Sequence, residues 1–225
     1  MALMADAIVV DIEGTTSPTA YVDDVMYPYA RERFADWVRA HPDDPAVAEV
    51  RAAAGDDVAG TLARWSDEDV KATPLKSVQG RIWDAAFAAG ELVAPFHPDA
   101  VAGLRRWHRA GTALYVFSSG SVTAQRAWFS HSTAGDLSPL VRGWFDTETA
   151  GPKKERSSYE RISATIGAPV GSTVFLSDVV AELDAARAAG WRTVGVRRSG
   201  DKWWSVGAPG HPEVASFDAV DALLA

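Results

Sequence analysis

The sequence predicts an α/β fold: a parallel sheet with helices on both faces, interrupted after its first strand by a helical insertion. Three observations predict it. From about residue 96 onward, short β-rich apolar runs ending in polar residues alternate with helical stretches, the rhythm of a parallel sheet. Near the start, "VVDIEGTTSP" at 9–18 reads as one more buried strand, which runs into an acid, skips one residue and meets a second acid. Between residues 19 and 95 no alternating strand stands out, and helix signals dominate.

Each element follows from local pattern. "AIVV" begins the first strand. In the insertion, Phe34, Trp37 and Val38 recur at helical spacing after Pro28, and Leu75, Val78 and Ile82 do so after Pro74, a first-turn proline. "HPDDP" at 41–45 marks a loop, and "SDED" at 66–69 resembles a capping box with Asp in place of the usual Glu. The regular part opens with a helix over "DAVAGLRRWHRAG", closing on Gly111, then the strand "TALYVFSSGS". Helices over "SVTAQRAWFSHS" and "KKERSSYERISATIG" fill the next intervals, followed by the strand "STVFLSD". A helix over "VVAELDAARAAG" closes on Gly190, and "RTVGVRR" is the last strand. A chain of 225 residues exceeds the usual ~150 of one domain without reaching two. The expected organisation is therefore a core over 1–18 and 96–225 with an insertion over 19–95.

Composition excludes whole classes of function. A net charge of -8 disfavours nucleic acid, whose affinity rests on Lys and Arg neutralising phosphates. The absence of Cys removes disulfides, thiolate nucleophiles and Cys-zinc sites. The opening residues have no basic start, apolar stretch or small-residue cleavage site of a signal peptide, and no window approaches the ~18 apolar residues of a membrane span. A cytoplasmic protein without membrane or nucleic-acid partners is expected, with a monomer as the favoured state. The histidines at 41, 97, 108, 131 and 211 show no metal-ligand spacing.

In open parallel sheets, ligands bind outside the carboxyl ends of the strands. Asp11, Ser118 with Ser119, and Asp178 all stand at such ends, and would converge if their strands are neighbours. An acid followed by "GTT", whose backbone amides can cradle an anion, suits a nucleophile that attacks phosphorus. A carboxylate about 4 Å from a phosphate dianion meets roughly 8 kcal/mol of repulsion at an effective dielectric near 20. Cations must offset it. Mg²⁺ needs only one or two carboxylates plus water and substrate, here Asp11 and Asp178, and Lys153 in "GPKKER" supplies a second positive charge. Ser118-Ser119-Gly120, between strand and helix, forms a phosphate cup. Glu182, four residues after Asp178, lies one turn along the next helix, where it can bind Mg²⁺ through water or orient Lys153. Glu13, two residues after Asp11 in a strand, would point to the same side, reach the leaving oxygen and serve as acid and base.

These residues resemble the haloacid dehalogenase superfamily of aspartyl-phosphate phosphotransferases. Its motifs match in order: "DIEGT" (Asp11), "FSSG" (Ser118, Ser119), Lys153 and "SDVVAE" (Asp178). General members carry Asp at the position of Glu13. With "YPYAR", "QGRIW", "SSGSVTAQ", "STAGDLSPL" and "FDTETAGPK", the chain from about 7 to 217 is similar to the enolase-phosphatase family of methionine salvage. The resemblance implies a haloacid-dehalogenase-like Rossmannoid core with the segment 19–95 as an inserted helical cap. It further implies a Mg²⁺-dependent enzyme that enolises 2,3-diketo-5-methylthiopentyl-1-phosphate and then removes phosphate to release the acireductone. By matching position, Asp11 is nucleophile and Mg²⁺ ligand, Glu13 belongs to the metal and acid-base site, Ser118, Ser119 and Lys153 bind substrate, and Asp178 binds Mg²⁺. Two departures stand out: Phe117 where Tyr is common, and "RSGDKWWSVGAPGH" in place of the usual Pro-Gly-Asn loop. Gln79 and Trp83 are candidates to meet the methylthio end, with core packing the plainer role for Trp83. A related Mg²⁺ phosphatase without enolisation is the alternative reading.

Overall fold

The computed structural model describes residues 5–224. The chain divides into two compact units, one running through Thr19 and resuming at Val93, the other Ala20–Leu92. Strand β1, Ala7–Val10, is buried along its whole length, as a central parallel strand must be.

After β1 comes the helical unit. A π-helical turn, Val22–Met26, leads into α1, Tyr27–Ala40, with Pro28 in the first turn, where no amide hydrogen is needed. Helices α2, Pro45–Ala54, and α3, Val58–Asp67, each begin at an aspartate. Asp44 Oδ1 accepts from Ala46 N at 2.8 Å and Asp57 Oδ1 from Gly60 N at 3.0 Å, satisfying amides that the helix cannot. Helix α4, Thr73–Ala89, ends at Gly90 with φ 72°. Phe34, Val47, Val50, Leu62, Leu75, Val78 and Ile82 form the core of this unit. "SDED" at 66–69 does not begin a helix, contrary to expectation. It closes α3, and Asp69 takes the left-handed φ of 52°; acids there mimic a capping box, but the helix starts belong to Asp44 and Asp57.

The α/β unit then resumes with α5 (Pro98–Arg109), β2 (Ala113–Phe117), α6 (Val122–Ser130), β3 (Gly143–Phe145), α7 (Arg156–Ile166), β4 (Thr173–Ser177), α8 (Val180–Ala188), β5 (Arg192–Val196), β6 (Glu213–Val214) and α9 (Val220–Leu224). The strands form one parallel sheet in the order β3-β2-β1-β4-β5-β6. β1 is flanked directly by β2 and β4, with Val10 opposite Val116 on one side and Leu176 on the other. Connections step outward from β1 to β2 and β3, whereas β4, β5 and β6 proceed the other way. The reversal lies between β1 and β4, where a crevice opens at the carboxyl ends. Phe117, Tyr159, Ile162, Phe175, Leu183 and Trp191 pack beside Val9 as the core. The edge strands β3 and β6 escape a pattern reading, because three and two residues are too few to establish alternation.

Candidate active site

The order β2-β1-β4 brings three strand ends side by side, and parallel neighbours lie about 4.8 Å apart. Asp11 follows β1 directly, Ser118 follows β2 and Asp178 follows β4. Together with Glu13, Thr19, Ser119, Lys153, Val179, Glu182, Lys202 and Trp203 they line one cavity of about 160 Å³. Every residue placed in the site from sequence, namely Asp11, Glu13, Ser118, Ser119, Lys153, Asp178 and Glu182, is in this lining.

The turn that follows β1 is built around Ile12, whose carbonyl accepts from Thr15 N, Thr16 N and Ser17 N at 3.2, 2.9 and 2.9 Å. Gly14 holds φ at 69°, a region in which a side chain costs about 1–2 kcal/mol. A Cβ there would also overlap Asp178 Oδ2, so glycine is what allows the turn to approach the second aspartate. β1 stops at Val10, which corrects the strand argument for Glu13. Glu13 shares a pocket with Asp11 because the chain turns back on itself, and not because two residues of one strand face the same way.

Charges in the pocket are tightly coupled. Lys153 Nζ lies 2.7 Å from Asp11 Oδ1 and 2.7 Å from Glu182 Oε2. It also sits 5.9 Å from the centre of the Phe117 ring, within reach of a cation–π contact. Burial alone would lower the lysine's pKa, but the carboxylates of Asp11 and Glu182 more than offset this and raise it, so the ammonium keeps its charge. Tyr159, buried in the core, donates to the Lys153 carbonyl at 2.7 Å and fixes the base of that side chain. Glu182 accepts from Ser177 Oγ at 3.0 Å. Burial raises its pKa despite Lys153. Asp11 Oδ1 also accepts from its neighbour's amide, Ile12 N, at 2.8 Å, so both interactions of this carboxylate fall on Oδ1.

Asp178 is the odd member. It is 5% exposed, its Oδ1 is buried without a hydrogen-bond partner, and its pKa is pushed up to about 8 by burial and then by the charges of Asp11 and Glu182. A buried carboxylate oxygen with no donor, beside other acids, is in deficit of positive charge. A divalent cation fits that deficit. Among the described residues no three His, Asp or Glu side chains gather around one position. The expected ligand set of Asp11, Glu13 and Asp178 lines this one cavity, and one or two carboxylates suffice for Mg²⁺, with water and substrate as the remaining ligands. Glu13 lines the pocket beside the two aspartates.

Ser118 is buried and its amide donates to the Phe145 carbonyl at 3.2 Å, while Ser119 is exposed. The helix begins at Val122 with Ser121 as its cap, accepting from Ala124 N at 3.2 Å, in keeping with the expected start at "SVTAQ". Asp146 takes the Val122 amide at 2.9 Å. Gln125 Nε2 donates to the carbonyls of Gly120 and Phe145 at 2.7 and 2.8 Å, bracing the loop from behind. Gln79 and Trp83 belong to the helical unit, where Gln79 is buried and Trp83 Nε1 donates to the Met26 carbonyl at 2.8 Å.

Sequence reasoning missed two adjacent buried arginines after β5. Arg197 donates to the carbonyls of Asp178 and Gly207. Arg198 donates through Nε and Nη2 to the Thr15 carbonyl at 3.1 and 2.9 Å, and through Nη1 to Asp99 Oδ2 at 2.7 Å. One thus holds the loop that carries Asp178, the other the turn that carries Asp11. Read as "RTVGVRR", they look like the polar end of a strand; the only available signal was two charges in a row at a sheet edge that binds anions.

A Rossmann-like sheet whose central strand ends in Asp, whose neighbours end in Ser and Asp, and whose pocket holds a lysine between carboxylates defines a hydrolase of the haloacid dehalogenase type. Two solved structures share the fold: the UTR4 protein of Saccharomyces cerevisiae, at TM-score 0.83 and 28% identity over 96% of this chain and 99% of that one, and the hydrolase YfnB of Bacillus subtilis bound to magnesium, at TM-score 0.66 and 12% identity over 98% and 99%. No family model matches. Curated relatives are more specific. Enolase-phosphatase E1 of Streptomyces avermitilis is 52% identical over 225 residues, 96% of this chain and 94% of the relative. Its counterpart in Frankia alni is 52% identical over 230 residues, covering 97% of each. The chain belongs to the enolase-phosphatase E1 family and is a phosphatase.

Proposed function

We propose that the chain converts 2,3-diketo-5-methylthiopentyl-1-phosphate, through its enol phosphate, to the acireductone 1,2-dihydroxy-3-keto-5-methylthiopentene and inorganic phosphate, with Mg²⁺ as cofactor, in methionine salvage. The observation that carries this reading is the carboxylate pair Asp11 and Asp178 at adjacent strand ends, with Lys153 bound between Asp11 and Glu182. Family membership directs it to the enolase-phosphatase reaction. The cytoplasm is the expected setting, consistent with the lack, among the described residues, of any helix long and apolar enough to cross a membrane. The helical unit Ala20–Leu92 acts in this reading as the cap of the catalytic unit.

Asp11 is the nucleophile. Its Oδ1 is occupied by Lys153 and the Ile12 amide, which leaves Oδ2 to form the bond to phosphorus as the ester oxygen departs. Lys153 neutralises charge where a dianion meets a carboxylate, and its position is set by Glu182 and Tyr159. Ser118 and Ser119 hold the phosphoryl oxygens. Glu13 gives a proton to the leaving oxygen and takes one from the water that then cleaves the acyl phosphate. Asp11 and Asp178 would hold Mg²⁺, which when bound supplies positive charge to phosphoryl and carbonyl oxygens alike.

The test is an assay with Mg²⁺ on the diketone phosphate that follows enol absorbance and free phosphate together. Both signals, the enol first, are expected. Phosphate without any enol would leave only a phosphatase without enolisation, and the absence of both signals would overturn the reading.

A further inference from the structure

Lys202 and Trp203 line the same cavity as Asp11 and Asp178 but come from none of the strand ends that carry the phosphate-handling groups. They stand in the loop after β5 and just before the turn Trp204–Val206. This loop is anchored to the site. Asp201 Oδ1 accepts from Thr19 N at 2.9 Å, and Arg197 and Arg198, immediately upstream, hold the carbonyls of Asp178 and Thr15.

Charge balance singles out Lys202. The lining contains four carboxyl groups, Asp11, Glu13, Asp178 and Glu182, against two ammonium groups. Lys153 is already committed to Asp11 and Glu182. Lys202 has no carboxylate partner among the described residues; its Nζ stands 5.5 Å from the centre of the Trp203 ring. Trp203, 37% exposed, is the one aromatic side chain of the lining, and with Val179 it supplies the apolar surface of a largely polar pocket. Hydrolysis of a phosphate needs no indole. A substrate with an apolar arm beyond an oxygen-rich centre uses both an indole and an ammonium.

We propose that Lys202 and Trp203 form the subsite that recognises the substrate beyond its phosphate: the ammonium hydrogen-bonds to an oxygen of the dicarbonyl group, and the indole face covers the thioether chain. This rests on the substrate assigned above. An exposed lysine gives up little when it turns toward a ligand oxygen, and sulfur against an aromatic ring is a favourable contact. Both residues are specificity-determining, and the phosphate-transfer groups remain those of the strand ends.

The test compares kcat/KM for three phosphoesters in Mg²⁺: the methylthio diketone phosphate, the same dicarbonyl phosphate lacking the methylthio arm, and a simple alkyl phosphate. Lys202→Met should lower the ratio of dicarbonyl to alkyl phosphate turnover by about 10- to 100-fold, the effect of one charge-assisted hydrogen bond, and Lys202→Arg should restore much of it. Trp203→Ala should lower the ratio of methylthio to arm-less substrate by about 10-fold, mainly through KM. Thermal melts of each variant check that the fold is retained. Unchanged ratios in folded variants overturn the subsite. Wild-type protein that turns over alkyl phosphate but neither dicarbonyl ester overturns the substrate assignment, and the subsite with it, a result distinct from unchanged ratios.

Discussion

The carboxyl group of Asp178 has a buried oxygen with no donor and a pKa pushed up to about 8, which makes it the residue most sensitive to what else is bound. Below that pH the metal-free group holds a proton, and a divalent ion must displace it. Apparent Mg²⁺ affinity should therefore rise with pH up to about 8 and level off above, with proton release on binding, measured by calorimetry below that pH, as the check; affinity independent of pH over roughly the two units below that value would contradict the assignment. Gly14 makes a second prediction. Gly14→Ala places a Cβ on Asp178 at a left-handed backbone position, so it should destabilise the protein by about 1–3 kcal/mol and weaken Mg²⁺ binding together. Asp11, Ser118, Ser119 and Asp178 were legible because each ends or follows an apolar run, whereas Lys153, in the polar stretch "GPKKER", was picked out only as the positive charge those groups need. Gly14, Tyr159 and Lys202 were not legible, since their importance lies in what they touch across the fold.

At the scale of elements, the helix and strand order from residue 96 onward was legible from apolar runs and glycine stops, and the short edges β3 and β6 were not. The helical unit shows the limit of local signals: acids at 66–69 close a helix, while Asp44 and Asp57 start two. Arg198 links elements far apart in sequence, holding the turn after β1, Asp99 at the start of α5 and the carbonyl of Ala215. Burial opposes the Asp99 carboxylate, but the Phe217 amide and Arg198 hold its pKa below the usual value. The folded form thus binds the proton less tightly than the unfolded chain, so this contribution to stability is complete above the unfolded value of about 4 and is lost as pH falls through the lower folded value. Arg198→Met should cost about 1–3 kcal/mol at neutral pH, because the Asp99 carboxylate keeps the Phe217 amide but loses the guanidinium. The deficit should shrink in thermal melts taken on the acid side; an equal deficit at every pH would mean that packing alone is at stake.

For the whole molecule, the chain forms two units with separate cores, and all lining residues of the pocket belong to the unit of the sheet. Mg²⁺ at about 100 times its dissociation constant should stabilise the folded chain by about 2.7 kcal/mol, and Asp178→Asn should abolish the shift while the metal-free variant melts no lower than wild type. In the proposed reaction everything turns on the carboxylate of Asp11 taking the phosphoryl group. Its most direct test is to mix the protein with Mg²⁺ and the diketone phosphate, quench in acid within one turnover and locate the phosphoryl group by mass spectrometry. One phosphoryl group is expected on the peptide that contains Asp11, and for Asp11→Asn neither phosphorylation of that peptide nor phosphate release, with turnover reduced by roughly 10⁴-fold or more. A phosphoryl group on a different residue, or phosphate released by Asp11→Asn at the wild-type rate, would contradict it.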